Sequence, residues 1–449
     1  MDDFLFNEFS TVSPAAWKQK IQVDLKGADY NDSLIWKSNE GIHVKPFYTS
    51  EDRHNNNVCL PKDGYKICQS IFVDDVIIAN KIAVDSLERG ATAIQFLAKN
   101  TFDYTVLFNK IDTKQTHIYL NFEFLDAAFI SEIEKYCKGN YIYFQIDIIG
   151  NLAKTGNWFS NLNADISEKA KFIHTVTNSI CVDASLYQNA GATIIQELAY
   201  ALAHTNEYLE LFGESIALKI HYIFSIGSNY FFEIAKLRAF RILVEVLLKE
   251  RGIQHTTIHI FTKPSLRNKT IFDYNVNMLR TTSECMSAIL GGSDTISNIS
   301  YDSIYHKSNE FGERIARNQL LILKEEAYLS EAHKFANGAY YIENTEKQFA
   351  EKALQLFKQI EKNGGFLKQL KKGTIQNKIS ENAGKQQELF DQNELILLGT
   401  NKLPSQNDRM KNELQIYPFL KKKNSKTLIV PILQRRLSEQ HEQNRLKME

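Results

Sequence analysis

The hydrophobic pattern changes character along the chain. From about residue 70 to residue 330, short apolar runs rich in β-branched and aromatic residues alternate with longer amphipathic segments. Apolar runs of four to eight residues favour strands, and apolar positions that recur every three or four residues favour helices. The pattern predicts strands at residues 93–97, 105–108, 117–122, 141–148, 179–182, 219–225, 257–261 and 296–299. It predicts helices at residues 129–137, 192–211, 230–248, 277–290 and 311–329.

Short strands separated by helices are typical of βα units around a parallel sheet. About eight such units precede residue 330, and this number favours an α/β fold of the (β/α)8 TIM-barrel type. An open doubly wound sheet stays an alternative, because a strand count from one sequence can be wrong by one or two.

The first 50 residues predict an extended N-terminal arm. Ser13 followed by Pro14 indicates a helix start, because the serine hydroxyl can accept from free backbone N–H groups and proline fits the first turn. We expect this helix to stop at Gly27 and an extended segment to cover residues 36–48.

Beyond residue 340 the chain predicts a helical extension. The pattern predicts charged helices at 346–363 and 373–391, a strand at 395–398, a polar linker and a last helix at 428–447. The predicted domains are an arm for subunit contact (1–50), a barrel (51–400) and a C-terminal linker with its helix (401–449).

Charge and cysteine content exclude several classes of protein. Basic and acidic residues number 53 each, so the chain lacks the broad positive field that nucleic-acid binding needs. The acidic N-terminus is unlike a signal peptide, and no apolar stretch approaches 18 residues. Five widely spaced cysteines argue against a disulfide framework. We therefore predict a cytoplasmic protein with no membrane or nucleic-acid partner.

Short motifs indicate no active site by themselves. Neither a phosphate-binding loop nor a dinucleotide-binding glycine motif is present. His255 and His259 have the spacing of a metal pair on a helix, but their threonine and isoleucine neighbours favour a strand. On a strand the two imidazoles would lie roughly 13 Å apart, so we expect a structural role and no metal site. Cys68 and Cys181 have no identifiable histidine partner that would make either a nucleophile.

A set of longer motifs carries a family resemblance. Residues 40–49 read EGIHVKPFYT, residues 190–200 read AGATIIQELAY, and residues 226–239 read IGSNYFFEIAKLRA. Shorter motifs follow in order at 280–282 (RTT), 290–292 (LGG), 313–318 (ERIARN) and 338–343 (GAYYIE). Together they resemble the barrel domain of methylmalonyl-CoA mutases over roughly residues 15–50 and 175–400. The resemblance implies a barrel that encloses an acyl-CoA and meets cobalamin at one end.

The segment that holds the catalytic histidine in that family differs in this chain. Active members read S-G-Y-H-M-Q-E-A-G-A, and residues 183–192 read DASLYQNAGA. Leu186 therefore stands where the resemblance places the histidine that contacts the thioester carbonyl. An isobutyl side chain can neither donate a hydrogen bond nor change its protonation state.

Three further positions depart from the family pattern. Residues 65–70 (YKICQS) are similar to W-T-I-R-Q-Y, so Cys68 replaces an arginine that serves the CoA end and Ser70 replaces the active-site tyrosine. Residues 145–148 (QIDI) resemble Q-N-D-I, and this alignment places Thr155 where an arginine would grip the substrate carboxylate. Threonine has no charge for that task. The resemblance thus implies no catalytic and no cofactor-binding residue in this chain.

These departures imply a non-catalytic small subunit. The chain has no D-x-H-x-x-G motif, whose histidine ligates cobalt in the family's cobalamin domain, so adenosylcobalamin would sit in a catalytic large subunit. The heterodimer would interconvert methylmalonyl-CoA and succinyl-CoA. Trp17 and Trp36 of the arm would anchor the partner, or would pack on the chain's own barrel.

Two other functions stay open at this stage. The chain could be an acyl-CoA mutase that works with a separate cobalamin-binding chain, with Tyr187 or Asn189 in place of the lost polar groups. It could also bind an acyl-CoA without converting it. A lumen filled by side chains would argue against this last function, and we expect Leu186 and Tyr187 to help fill it.

Overall fold

A ring of eight parallel strands forms the centre of the molecule. The computed structural model describes residues 8–53, 58–62, 64–137, 141–254, 257–332, 334–420 and 426–449. The strands are β1 (Lys66–Phe72), β2 (Ala93–Ala98), β3 (His117–Phe122), β4 (Ile142–Phe144), β5 (Ile180–Asp183), β6 (Ile220–Ile226), β7 (His259–Pro264) and β8 (Thr295–Ile296). They pair in the order β4-β3-β2-β1-β8-β7-β6-β5, and every pair is parallel. The predicted TIM barrel is confirmed.

Strands β4 and β5 close the ring mainly through side chains. In the described residues they share no ladder, and the backbone link is one bond from the Phe144 N–H to the Asn178 carbonyl, 3.1 Å long. The buried Lys169 ammonium donates to the carbonyls of Ile146 (2.8 Å) and Ser179 (3.2 Å), one on each side of the gap. Burial lowers the pKa of Lys169 to about 8.

Helices surround the ring and extend beyond it. Thr193 begins the helix Ile194–Phe212 with a capping box, in which its side chain and that of Gln196 each accept from the other residue's backbone N–H. The helices between strands and after β8 are Val76–Glu88, Tyr104–Leu107, Ala127–Cys137, Ile148–Thr155, Leu162–Ala170, Ser185–Asn189, Ile194–Phe212, Tyr230–Glu250, Val276–Leu290 and Glu310–Leu321. The remaining α-helices are Pro14–Asp24, Tyr30–Leu34, Tyr340–Lys362, Phe366–Lys371, Thr374–Asp391 and Glu439–Met448.

The arm agrees with its prediction. The Ser13 hydroxyl accepts from the Ala16 N–H at the start of helix Pro14–Asp24, and a short antiparallel pair joins Trp36–Lys37 to His43–Val44. Ile42, at the end of the intervening turn, is fully buried against the barrel helices.

Four local predictions were wrong or incomplete. Residues 105–108 lie largely in a helix, because Asp103 caps the N–H groups of Thr105 and Val106. The first strand, Lys66–Phe72, was not predicted. Residues 395–398 form only an isolated bridge, and residues 428–438 are not helical. His255 lies outside the described residues, whereas His259 begins β7, as its neighbours predicted. No described helix is long and apolar enough to cross a membrane.

Candidate functional site at the barrel mouth

Aromatic side chains fill the lumen of the barrel. Tyr119 from β3 lies 4.8 Å from Tyr143 of β4 and 4.7 Å from Phe261 of β7 between ring centroids. Cys68, Cys181, Ile223 and Ala93 complete this buried cluster. The Tyr119 hydroxyl is also within 2.6 Å of the Thr295 hydroxyl of β8. The rings therefore bridge opposite walls and fill this level of the lumen.

A small cavity lies above this plug, at the carboxyl ends of the strands. Its volume is about 90 Å³. Leu186, only 3% exposed, lines it beside Cys181 and Ile223. Pockets that hold drug-sized ligands have volumes of about 300–1,000 Å³. The cavity beside Leu186 is thus too small for a CoA thioester.

Ser70 lies in the lumen on a chain of polar side chains. Its hydroxyl donates to the Gln95 amide oxygen (2.7 Å) and lies 2.8 Å from the Ser297 hydroxyl. The Gln95 amide in turn donates to Gln145, which lines the cavity beside Leu186. The structure therefore links both predicted positions through Gln95 and Gln145. Because the Ser70 hydroxyl has hydrogen-bond partners on both sides, it is held in place within this network.

A buried network of side chains fixes the loop that carries Leu186. The Tyr187 hydroxyl lies 3.1 Å from His204 Nδ1, and His204 Nε2 lies 3.1 Å from Asp147. Tyr208 also donates to Asp147, at 2.7 Å. Burial is the largest single influence on Asp147 and opposes its ionisation, but His204, the Asp183 N–H and Tyr208 together lower the pKa of Asp147. Tyr187 thus packs among the surrounding helices, and the expectation that it fills the lumen was wrong.

The polar substitutes that sequence reasoning considered are already engaged. Burial raises the pKa of Tyr187 well above its ordinary value, which disfavours proton transfer near neutral pH. The Asn189 amide donates to Ser225 (2.8 Å) and accepts from Ser265 and from the backbone of Leu266. Neither side chain lines the cavity. Neither can take the role of the missing histidine in this geometry.

Thr155 and the two candidate cysteines also lack an active-site setting. Thr155 is exposed at the end of its helix, and its hydroxyl donates to the carbonyls of Asn151 and Asn157. Burial raises the pKa of both the Cys68 and the Cys181 thiols, so neither is a ready nucleophile. Nowhere in the described ranges do three or more metal-ligating side chains form a cluster.

A strap formed by residues 426–438 crosses the mouth of the barrel. Its backbone N–H groups donate to carbonyls of segments that follow three different strands: Ile432 to Ala153 (2.7 Å), Arg435 to Asn189 (3.2 Å) and Leu437 to Arg267 (2.9 Å). Gln434 of the strap lines the same cavity as Leu186. The chain's own strap therefore covers the end of the barrel at which ligands of this fold usually bind.

Sequence reasoning missed the residues that close the lumen. Tyr119 and Tyr143 lie on strands predicted at 117–122 and 141–148, and alternation along a strand places every second side chain on one face. The alternation of side chains along each strand can be read from the sequence, but which of the two alternating sets faces the lumen depends on the register of the whole ring.

Comparison with known proteins agrees with this architecture. The family profile described as methylmalonyl-CoA mutase matches residues 103–448. The methylmalonyl-CoA mutase small subunit of Porphyromonas gingivalis is 34% identical in an alignment that covers 89% of this chain and 71% of that protein.

Two longer mutases match a smaller region. The methylmalonyl-CoA mutase of Rhizobium meliloti is 34% identical over 56% of this chain, and the large subunit of the Porphyromonas gingivalis enzyme is 30% identical over 53%. The matched regions span only 37% and 35% of those two proteins. The motifs, the eight-stranded barrel and these matches agree, and the chain belongs to the methylmalonyl-CoA mutase family.

Proposed function

We propose that this chain is the non-catalytic small subunit of a heterodimeric, adenosylcobalamin-dependent methylmalonyl-CoA mutase, and that it stabilises the catalytic large subunit. The observation that carries the proposal is the closed barrel: aromatic rings fill the lumen and Leu186 lines a cavity of about 90 Å³ at its mouth. Similarity to a relative named as a small subunit over most of the chain supports the same role.

The residues at the mouth do not fit substrate or cofactor. The strap 426–438 occupies the face of the barrel on which a cobalamin would lie, and Leu186 offers no polar contact. Adenosylcobalamin is therefore assigned to the large subunit, and no chemical step is assigned to this chain. The five cysteines are free, as is usual in a reducing compartment, which supports a cytoplasmic location.

The arm is the proposed contact with the large subunit. Helix Pro14–Asp24 buries none of its residues, and Val23 is 71% exposed. Trp17 stacks on Phe47 within the arm, at 4.1 Å, and remains half-exposed. Exposed apolar and aromatic side chains are typical of interfaces. We accordingly treat residues 1–50 as a contact arm, 51–400 as the barrel domain and 401–449 as the C-terminal extension.

Co-purification tests the role in assembly. The chain is co-expressed with the tagged methylmalonyl-CoA mutase large subunit of the same organism, and we expect a stable one-to-one complex. Val23→Asp places a charge in the proposed contact and should weaken the complex at least tenfold. Leu279→Asp is the matched control, because Leu279 is 70% exposed on a barrel helix outside the arm. A chain that never binds the large subunit contradicts the proposal.

Calorimetry and a turnover assay test the two alternative functions. Methylmalonyl-CoA titrated into the isolated chain should give no binding heat, because the lumen is filled. Turnover by this chain with only a separate cobalamin-binding protein and adenosylcobalamin would overturn the non-catalytic assignment.

A further inference from the structure

Residues 36–48 of the arm dock across the ends of three barrel helices. Trp36 stacks on Phe232 at 5.4 Å between ring centroids, and the backbone of His43 exchanges hydrogen bonds with the Gln348 side chain. Between these contacts the chain makes a tight turn at Glu40 and Gly41, and Gly41 has a φ of +71°. The turn presents the Glu40 carboxylate to the start of the helix Ile194–Phe212.

The Glu40 carboxylate caps this helix from outside. Its Oε2 atom accepts from the Ile194 N–H at 2.6 Å, beside the capping box that Thr193 makes with its own helix. An acceptor at this position satisfies a backbone N–H that has no partner within the helix. Glu40 is thus a side chain through which the arm makes a specific polar contact with the barrel.

A buried ionic cluster lies beside this contact. Lys236 Nζ is 2.9 Å from Glu197 and 2.6 Å from Glu233, and it also donates to the Ser225 carbonyl at 2.6 Å. One ammonium is therefore already shared by two buried carboxylates, and Glu40 brings a third. The Glu40 side chain is half-buried, and its partial removal from water raises its pKa to about 7; repulsion from Glu233 adds to this, and the Ile194 bond and Lys236 oppose it.

The other charged side chains near Glu40 do not neutralise its carboxylate. Burial and the neighbouring carboxylates raise the pKa of Glu197 to about 8, although Lys236 opposes this. Arg267 lines the same cavity of about 270 Å³ as Glu40 and Glu233, but its guanidinium donates to Gln386 and to the Arg435 carbonyl. The cavity opens beside the exposed Trp36, so solvent protons can reach Glu40.

We propose that Glu40 is a proton-dependent latch that holds the N-terminal arm on the barrel. In the docked arm the protonated carboxyl is accommodated beside Glu233 and Glu197, whereas in the released arm the carboxylate is hydrated. The docked state thus binds a proton that the released state gives up between pH 4.5 and pH 7. Docking is strongest at low pH and weakens as the pH rises through 7, by about tenfold between pH 6 and pH 8.

Hydrogen exchange on the full chain tests the latch. Exchange of peptides that cover residues 36–48 is followed by mass spectrometry at pH 6, 7 and 8, with labelling times scaled to the intrinsic chemical rate. We expect the opening constant to rise about tenfold from pH 6 to pH 8. Glu40→Gln should remove this dependence and protect the arm better than the native residue at pH 8. Glu51→Gln, at an exposed glutamate near the end of the arm, should keep it.

The outcomes separate the latch from other titrating groups. A flat profile in the native chain overturns the proposal, and so does a pH dependence that survives in Glu40→Gln, since that variant keeps His43. Should Glu40→Gln leave the arm released at every pH, His43→Gln decides, because this variant keeps Glu40 and must keep the native pH profile if Glu40 is the latch. The readout is intramolecular, so it does not depend on whether a large subunit binds.

Discussion

Leu186 shows how the surroundings of one replaced side chain limit its function. The side chain lines a small cavity at the mouth together with Cys181, Ile223 and polar residues such as Gln145 and Asp183, and two polar side chains close to it in sequence, Tyr187 and Asn189, are bonded elsewhere. A histidine at position 186 would therefore face a cavity of about 90 Å³ above a filled lumen, which has no room for a CoA thioester. The absence of an imidazole at position 186 and the closed barrel are separate features, and changing one leaves the other.

We expect Leu186→His to restore no mutase activity and to destabilise the chain. A polar ring in this cavity loses apolar contacts and hydration, which costs on the order of 1–3 kcal/mol in free energy of unfolding. Urea unfolding measures the loss, and assays with methylmalonyl-CoA and adenosylcobalamin measure activity. Leu279→His, at an exposed position, should change stability by less than about 0.5 kcal/mol. Turnover by Leu186→His alone would contradict the assignment of a closed site.

Single elements differ in how well the sequence predicts them. The long helices Ile194–Phe212 and Tyr230–Glu250 are apolar over most of their length and begin after the capping residues Thr193 and Asn229, and their existence and bounds were predicted closely. Strand Lys66–Phe72 was missed because its run KICQSIF mixes polar lumen-facing residues with apolar ones. Residues 428–438 were predicted as a helix, but Pro431 and hydrogen bonds to barrel loops hold them extended. Such tertiary bonds leave no periodic signal.

Gly156 tests how the strap is held at the element scale. It has a φ of +80° and ψ of 2°, and a Cβ atom there would lie 2.6 Å from the Ile429 carbonyl and 2.7 Å from Thr427. Gly373 has nearly the same backbone, with φ of +78° and ψ of 4°, but open space around it. Both alanine variants pay about 1–2 kcal/mol for the left-handed conformation. Only Gly156→Ala must also push the strap away.

We therefore expect Gly156→Ala to expose the strap and Gly373→Ala to leave it docked. Limited proteolysis under native conditions measures this as cleavage within residues 426–438. Equal cleavage rates in the two variants would show that strain alone, rather than the close approach of the strap, determines the effect.

At the scale of the whole molecule, the barrel is stabilised by a lumen that contains titratable rings. His117, His221 and His259 lie near the amino ends of β3, β6 and β7, beside Tyr143. Burial is the main cause that lowers the pKa of His117 to about 3 and that of His259 to about 4, and it also lowers the pKa of His221. The folded barrel thus depends on these imidazoles being neutral.

Acid should therefore destabilise the whole barrel from about pH 6.5 downwards. In the unfolded chain each histidine takes up a proton near pH 6.5, whereas in the folded barrel it does not, so stability present above that pH is lost as the pH falls. Each buried histidine contributes up to about 2 kcal/mol of this loss by pH 5.

His221 is 1% exposed and neither ring nitrogen has a hydrogen-bond partner, so His221→Phe preserves its packing and removes one proton site. Urea unfolding at pH 7.5, 6 and 5 should give a shallower loss for His221→Phe than for the native chain, and an unchanged loss for His43→Phe, whose ring is on the exposed arm. Identical slopes in all three proteins would mean that the lumen histidines do not set the acid limit.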